Sequence, residues 1–241
     1  MQELLLLSTL TLVASLVGTM TGFGTSTIMV PVLLLFLPLP VTLLFVGVIH
    51  FCGDIWKVLL FRSGFDRKVV LGFCLAGIPA SWLGAMFSAQ AEGYPVKRIL
   101  GAFLICYTLF LFARRNWSLP PTTPTALGGG LLSGLCAGFS GVGGAVRGAF
   151  LTAFNLPPGT YVFTSGLIAL FIDATRITGY LAGSARLDSS LAVSLLACIP
   201  LSFAGAWIAK RYIVDRLPRT TFRVVVGVFL SVIGFRLLFF P

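Results

Sequence analysis

Three stretches of this chain are too apolar to rest in water and close to the length that crosses a bilayer. Leu4 to Met20, Val69 to Ser88 and Leu191 to Ala209 contain no charged residue, and a membrane helix needs ~20 predominantly apolar residues. Val41 to Phe61, Val96 to Ala113, Ala126 to Phe139, Val162 to Ala182 and Phe222 to Phe240 are apolar stretches of similar kind and fill most of the remainder. The chain reads as an all-α polytopic membrane protein with room for about eight to ten segments of ~20 residues. Hydrophobic residues make up 57%, charged residues 10%, and the mean hydropathy is +1.02. A soluble domain carries roughly 25% charged residues, so the lipid bilayer is the expected surroundings.

The formal charge of +10 does not point to nucleic acid, because no long basic run exists to form a binding face. The basic residues stand singly or in pairs at the ends of apolar stretches, as cytoplasmic anchoring requires. The five cysteines, Cys52, Cys74, Cys106, Cys136 and Cys198, all lie in apolar stretches without CxxC spacing. Neither a disulfide framework nor a zinc site is indicated, no cofactor is called for, and the thiols read as small packing residues. Met1-Gln2-Glu3 lacks the basic start of a signal peptide, so the first helix is expected to be retained.

Two glycine strings break the apolar pattern. Gly22-Phe23-Gly24-Thr25-Ser26-Thr27 follows the first stretch, and Gly141-Val142-Gly143-Gly144-Ala145 recurs 119 residues later. Each precedes a shorter apolar segment, one ending at Pro38-Leu39-Pro40 and the other at Leu156-Pro157-Pro158-Gly159. At that same offset of 119, Gly24 matches Gly143, Asp54 matches Asp173, and Lys57 matches Arg176. Gly84-Ala85 matches Gly205-Ala206 two residues later, and Gly101 to Phe103 matches Gly227 to Phe229 later still. A repeat that keeps charged residues in register signals duplication. Residues 1–117 form the first copy, the proline-rich stretch 118–125 a linker, and 126–241 the second copy.

Basic residues favour an inverted relation between the copies. If each broken pair is a hairpin, re-entrant or fully spanning, each copy crosses an odd number of times through its three following helices. Arg62, Arg67, Lys68, Arg114, Arg115, Lys210, Arg211, Arg216 and Arg219 then share one side, while Lys97, Arg98, Arg186 and Arg236 face the other. That bias obeys the positive-inside rule with both termini outside the cytoplasm. A parallel arrangement puts the Lys210 to Arg219 cluster outside, and threads ~35 residues through a bilayer that needs ~20.

Charge within the hydrocarbon costs at least ~2.5–3.5 kcal/mol and marks candidate function. Asp54 with Lys57, and Asp173 with Arg176, are spaced i,i+3 and so share a helix face. Each pair is either a self-neutralising pin within the bundle or a positive charge presented to an anion by an aspartate that holds it. Arg147 follows the second break where the first copy has Ile28. With no acid within one helical turn, it either bonds Asp54 or Asp173 from another helix or grips an oxyanion. Helix N-termini after Gly24 and Gly143 direct N–H groups inward. Gly22, Gly141 and Gly144 let backbone approach a ligand, and Thr25, Ser26 and Thr27 add hydroxyls. His50, one turn before Asp54, is either a proton relay or a packing residue. Tyr161, Tyr180, Trp56, Trp82 and Trp207 read as packing or interface aromatics. A donor-rich centre of this kind prefers a small anion.

With these residues in view, the chain resembles the TauE/SafE family of sulfite exporters, also called the four-toluene-sulfonate uptake permease family. The resemblance rests on Gly22-Phe23-Gly24-Thr25-Ser26 with Pro31, on Ser140-Gly141-Val142-Gly143-Gly144, and on the two-copy layout. Phe150 stands where the second copy would repeat Pro31, and Arg147 fits no family motif. The resemblance implies transport of sulfite, sulfonates or related anions across the bacterial inner membrane, coupled to the proton gradient. It leads to a secondary transporter working by alternating access, in the direction of export. The alternatives are an anion channel, a permease for another small organic anion, or a non-transporting membrane subunit. An enzyme is not expected, since HExxH, GxSxG and GxxxxGK[ST] strings are missing. The sequence is silent on oligomeric state and leaves a homo-oligomer open.

Overall fold

A computed structural model of the chain describes residues 2–22, 24–62, 64–90, 93–113, 118–213 and 219–239. Met1, Phe23, Arg114, Arg115, Arg216 and Phe240, used in the sequence reading, lie outside them. The described residues form ten α-helices and no strand. They are α1 (Gln2–Thr21), α2 (Thr25–Leu33), α3 (Leu39–Leu60), α4 (Arg67–Gln90), α5 (Gly93–Ala113), α6 (Thr123–Ser140), α7 (Gly143–Ala153), α8 (Pro158–Ala182), α9 (Ser189–Ile208) and α10 (Arg219–Phe239). Five of them, α1, α3, α4, α8 and α9, are long and apolar enough to cross a membrane. A π-helical turn, Ala209–Ile213, continues α9.

Several boundaries differ from the sequence expectation for local reasons. α6 starts at Thr123, within the stretch 118–125, where Thr122 and Thr125 form a reciprocal capping box. The arm after the first break ends at Leu33, and a turn fills the space before Pro38. Pro40 and Pro158 sit in the first turns of α3 and α8, where a missing N–H costs nothing. In α9, Asp188 caps the start by accepting from the Leu191 N–H at 2.8 Å. That bond holds its carboxyl below the usual aspartate value.

Both short arms fold back on the helix before them. The Leu119 N–H bonds the Ala153 carbonyl at 3.0 Å, and Phe150 lies against Gly129. In the first copy the Thr25 hydroxyl reaches the Ala14 carbonyl at 3.3 Å. At ~1.5 Å per residue, α2 and α7 extend only about half of the ~30 Å hydrocarbon core. The turns need glycine: φ is +70° at Gly22, +123° at Gly24 and +76° at Gly141, a region closed to most side chains.

Helix packing follows the sequence repeat. The matched helices are α1 with α6, α2 with α7, α3 with α8, α4 with α9 and α5 with α10. α1 packs on α9, and correspondingly α6 on α4; α3 packs on α9, and α8 on α4. α3 with α8 and α5 with α10 are each their own counterpart, as helices beside a two-fold axis would be. Single contacts obey the same relation. Gly101 meets the backbone at Gly234, while Gly227, matched to Gly101, meets Thr108, matched to Gly234. The central pair, α3 and α8, places the charged residues deepest in the bundle.

Candidate functional site

The charges of α3 and α8 form a continuous line across the helix interface. On α3, His50, Asp54 and Lys57 follow one another at i, i+4 and i+7, so all three point to one face. Lys57 Nζ donates to Asp54 Oδ1 at 2.7 Å, and Arg176 Nε donates to Asp173 Oδ1 at 2.7 Å. His50 joins the two pairs: its Nδ1 is 2.9 Å from Asp54 Oδ2 and 2.6 Å from Asp173 Oδ2. The line therefore runs Lys57, Asp54, His50, Asp173, Arg176, and every member is 2% exposed or less. Both predicted i,i+3 pairs are made; the histidine hydrogen-bonds Asp173, while Asp54 Oδ2 stands within ion-pair distance of it without a hydrogen-bond partner among the described residues.

His50, Asp54 and Asp173 offer one ligand atom each within a small sphere, but their spacing suits a proton better than an ion. Two ligands of an ion held at ~2.1 Å stand about 3 Å or more apart, and the histidine–Asp173 separation is 2.6 Å. That is the length of a charge-assisted hydrogen bond. The second oxygen of each aspartate is already held by Lys57 or Arg176. Nδ1 is thus the donor of the imidazole, and Nε2 has no partner among the described residues.

Arg147 lies on α7, one turn past the second break, and is 1% exposed. It does not pair with Asp54 or Asp173, nor with any other carboxylate among the described residues. Its Nε donates instead to Ser165 Oγ on α8 at 3.0 Å. The Ser165 hydroxyl in turn donates to the Gly22 carbonyl at 2.5 Å. One serine thereby ties the arginine of the second break to the backbone of the first. Arg147 Nη2 has no partner among the described residues.

The breaks themselves approach the charge line. A methyl group on Gly141 would lie 3.5 Å from Arg176 Nη1, and 2.8 and 2.9 Å from the side chains of Val30 and Leu43. Gly24 and Val142 stand at the N-caps of α2 and α7, and neither helix start is capped by a side chain. Gly22, Gly24, Thr25, Ser26, Gly141, Gly143 and Gly144 are all buried at these turns. Two of them have structural duties that the sequence did not reveal. The Thr25 hydroxyl is spent on the Ala14 carbonyl, and Gly143 lies so close to Ser133 and Ala137 that α6 leaves it no room for a side chain.

Three residues of α8 seal the breaks, and the sequence reading did not assign them this role. Ser165 caps Gly22. The Tyr161 hydroxyl donates to the Thr21 carbonyl, and the Tyr180 hydroxyl reaches the carbonyls of Ala137 and Gly138 at 2.9 and 2.7 Å. Their first-copy counterparts at offset 119 are Val46, Thr42 and Phe61. Two of the three are apolar, the same contrast that singled out Arg147 against Ile28. His50, facing Ala169, is a further case.

Chemically, the centre carries a surplus of donors. Arg147 Nη2, Arg176 Nη1 and the hydroxyls of Thr27 and Thr164 are buried without partners among the described residues, against two acceptors in the same state, Asp54 Oδ2 and His50 Nε2. Each unsatisfied buried donor costs about 1–3 kcal/mol, more when charged. Among comparisons with known proteins, the family described as Sulfite exporter TauE/SafE matches residues 7–237 of the chain. No curated protein and no solved structure matches it.

Proposed function

Because the chain belongs to the sulfite exporter TauE/SafE family, a family of membrane transporters, we propose that it is a secondary carrier exporting a small sulfur-containing anion, sulfite or an organosulfonate. The observation that carries this reading is Arg147: buried, unpaired with any described carboxylate, and oriented by Ser165 with Nη2 left over. A guanidinium in that state suits an anion with several oxygens in one plane or pyramid, which it grips through parallel bonds. Arg176 Nη1 and the uncapped starts of α2 and α7 are further donors for the same group.

Charge arithmetic favours a single negative charge on the substrate. Lys57 and Arg176 are each matched by an aspartate, and Arg147 remains as a cation with no carboxylate partner among the described residues. Hydrogen sulfite or a sulfonate monoanion balances it, whereas a dianion leaves an excess charge in a region where charge is expensive. His50, with Asp54 and Asp173 on either side of it, is on this reading the group that couples transport to protons.

The multi-pass membrane protein is placed, on this reading, in the bacterial inner membrane with both termini outside the cytoplasm. On this reading each broken pair is a hairpin, so that each copy crosses an odd number of times through its three following helices. The copies are then inverted and give alternating access around the α3–α8 centre, a reading supported by the reciprocal packing of α1 on α9 and of α6 on α4. The test is uptake of sulfite into liposomes containing the purified protein, with methanesulfonate, taurine, thiosulfate and sulfate as competitors. Saturable uptake, blocked by methanesulfonate far better than by sulfate, is expected. If no sulfur anion moves above protein-free liposomes, the reading fails. Flux without any coupling to protons or potential would recast the protein as a channel.

A further inference from the structure

On both central helices the charged residues are followed by an aromatic ring. On α3 the order is Asp54, Lys57, Phe61, and on α8 it is Asp173, Arg176, Tyr180, with the same spacings of three and four residues. Each ring therefore stands one turn beyond its cation on the same face. Phe61 is the C-cap of α3, and Tyr180 lies in the last turn of α8. The two helix ends are finished differently. Over Phe61, Lys210 places its Nζ 5.5 Å from the ring centroid and donates to the Leu60 carbonyl. Beside Tyr180 the structure leaves a pocket with room for about one water molecule. Its walls are Pro40 at the start of α3, Ser88 at the end of α4, and Tyr180, Gly183 and Ala185. Pro40 and Gly183 are exposed at the rim, while Ser88, Tyr180 and Ala185 are buried. The counterpart of Ser88 is Ala209, the residue before Lys210. A lysine thus covers one end of the central pair, and the other end stays hollow.

Tyr180 belongs both to this pocket and to the donor-rich centre. Its hydroxyl reaches the carbonyls of Ala137 and Gly138 at 2.9 and 2.7 Å, in the last turn of α6, where carbonyls lack helical donors. The same hydroxyl stands beside the Arg176 guanidinium, whose Nη1 has no partner among the described residues. The ring reaches across to α3, with Cε2 4.0 Å from where a methyl group on Gly47 would stand. A phenol has one O–H to donate, so one hydrogen bond at a time latches the ring to α6. Water entering from the pocket can replace that bond at either carbonyl.

We propose that Tyr180 is the gate between the anion centre and the mouth formed by Pro40, Ser88, Gly183 and Ala185, and that it opens by releasing the carbonyls of Ala137 and Gly138. The proposal rests on the carrier reading, in which this mouth faces outside the cytoplasm and Phe61 with Lys210 closes the opposite end. Latched, the ring stands between Arg176 and the pocket. Swung aside on its own side-chain torsions, it lets the guanidinium and the second break face water.

The test is the rate at which a membrane-impermeant sulfonate reagent, sulfonatoethyl methanethiosulfonate, reaches a cysteine behind the gate. Cys52, Cys74, Cys106, Cys136 and Cys198 are replaced by alanine, and Ser140→Cys, buried at the end of α6, is the target in sealed cells and in inverted vesicles. Gly183→Cys, at the rim, identifies the face on which the mouth opens and should label at one rate with either residue at position 180. Tyr180→Phe removes the latch and keeps the ring. From the Gly183 face it should speed labelling of Ser140→Cys about threefold to tenfold, the effect of one ordinary hydrogen bond on an opening equilibrium. From the Phe61 face the rate should not change. Equal rates in the wild type and Tyr180→Phe overturn the gate. So does a rise of the same size from both faces, which reports a loosened fold. Labelling follows the gate whatever the substrate, so a protein that moves no sulfite but labels as expected would sink the substrate assignment alone.

Discussion

His50 and Asp173 come from opposite halves of the chain and meet with Nδ1 2.6 Å from Oδ2. That bond converts two local ion pairs, each within a single helix, into one line spanning α3 and α8. Neither pair alone would join the halves. The histidine does so at a place where the second copy has Ala169, so the centre is built from duplicated parts and closed by one that is not.

Because the line is buried, removing one member should cost more than removing a pair. Asp173→Asn leaves Arg176 and His50 without their carboxylate and is expected to destabilise the protein by about 3–5 kcal/mol. Asp173→Asn combined with Arg176→Met should recover part of that loss, since a buried pair replaced by apolar groups is often neutral. Thermal unfolding in detergent compares them. Equal stability of the single and double variants would contradict a compensated ion pair.

Ser165→Ala deprives Arg147 Nε and the Gly22 carbonyl of their shared partner. The lost bond to a charged group is worth roughly 1.5–3 kcal/mol, so the KM for the anion should rise about tenfold to a hundredfold if Arg147 must be held in place. Tyr161→Phe removes a hydroxyl from the same break without touching Arg147, and should alter stability more than KM. Kinetics of uptake on the three proteins separate positioning from support. A KM unchanged in Ser165→Ala would remove this serine from the site.

The glycines divide into two groups by what surrounds them. Gly141→Ala imposes a side chain at φ +76° and pushes it against Val30 and Leu43; a loss of about 1–3 kcal/mol is expected from crowding alone. Gly128, on α6, has nothing within 4 Å of where a methyl group would go. Gly128→Ala should therefore be neutral or gain up to ~1 kcal/mol from helix propensity. Yields and melting temperatures of the two variants check the contrast, and a harmless Gly141→Ala would mean that the break tolerates other backbone shapes.

Class, helix placement and the duplicated charge pairs were legible in the sequence because they rest on local rules. Apolar length reports a membrane helix, and i,i+3 spacing reports a shared face. The partner of Arg147 was not legible: no local rule connects it to Ser165 on another helix, and a single serine in an apolar stretch looks like packing. The available signal was the repeat itself, in which Ser165 replaces Val46 and Tyr180 replaces Phe61. Thr25 shows a second duty that was hidden. Its position beside Gly24 suggested a ligand contact, and the tight return of α2 onto α1 also brings its hydroxyl to the Ala14 carbonyl.

The most direct test of the central claim is anion-dependent stabilisation of the purified protein with and without Arg147. A ligand that binds the folded state alone stabilises it by ~2.7 kcal/mol at a hundredfold excess over Kd. Sulfite should therefore raise the melting temperature of the wild type in a saturable way and leave folded Arg147→Ala unmoved. If Arg147→Ala is stabilised by sulfite as strongly as the wild type, the anion does not bind at Arg147 and the site lies elsewhere.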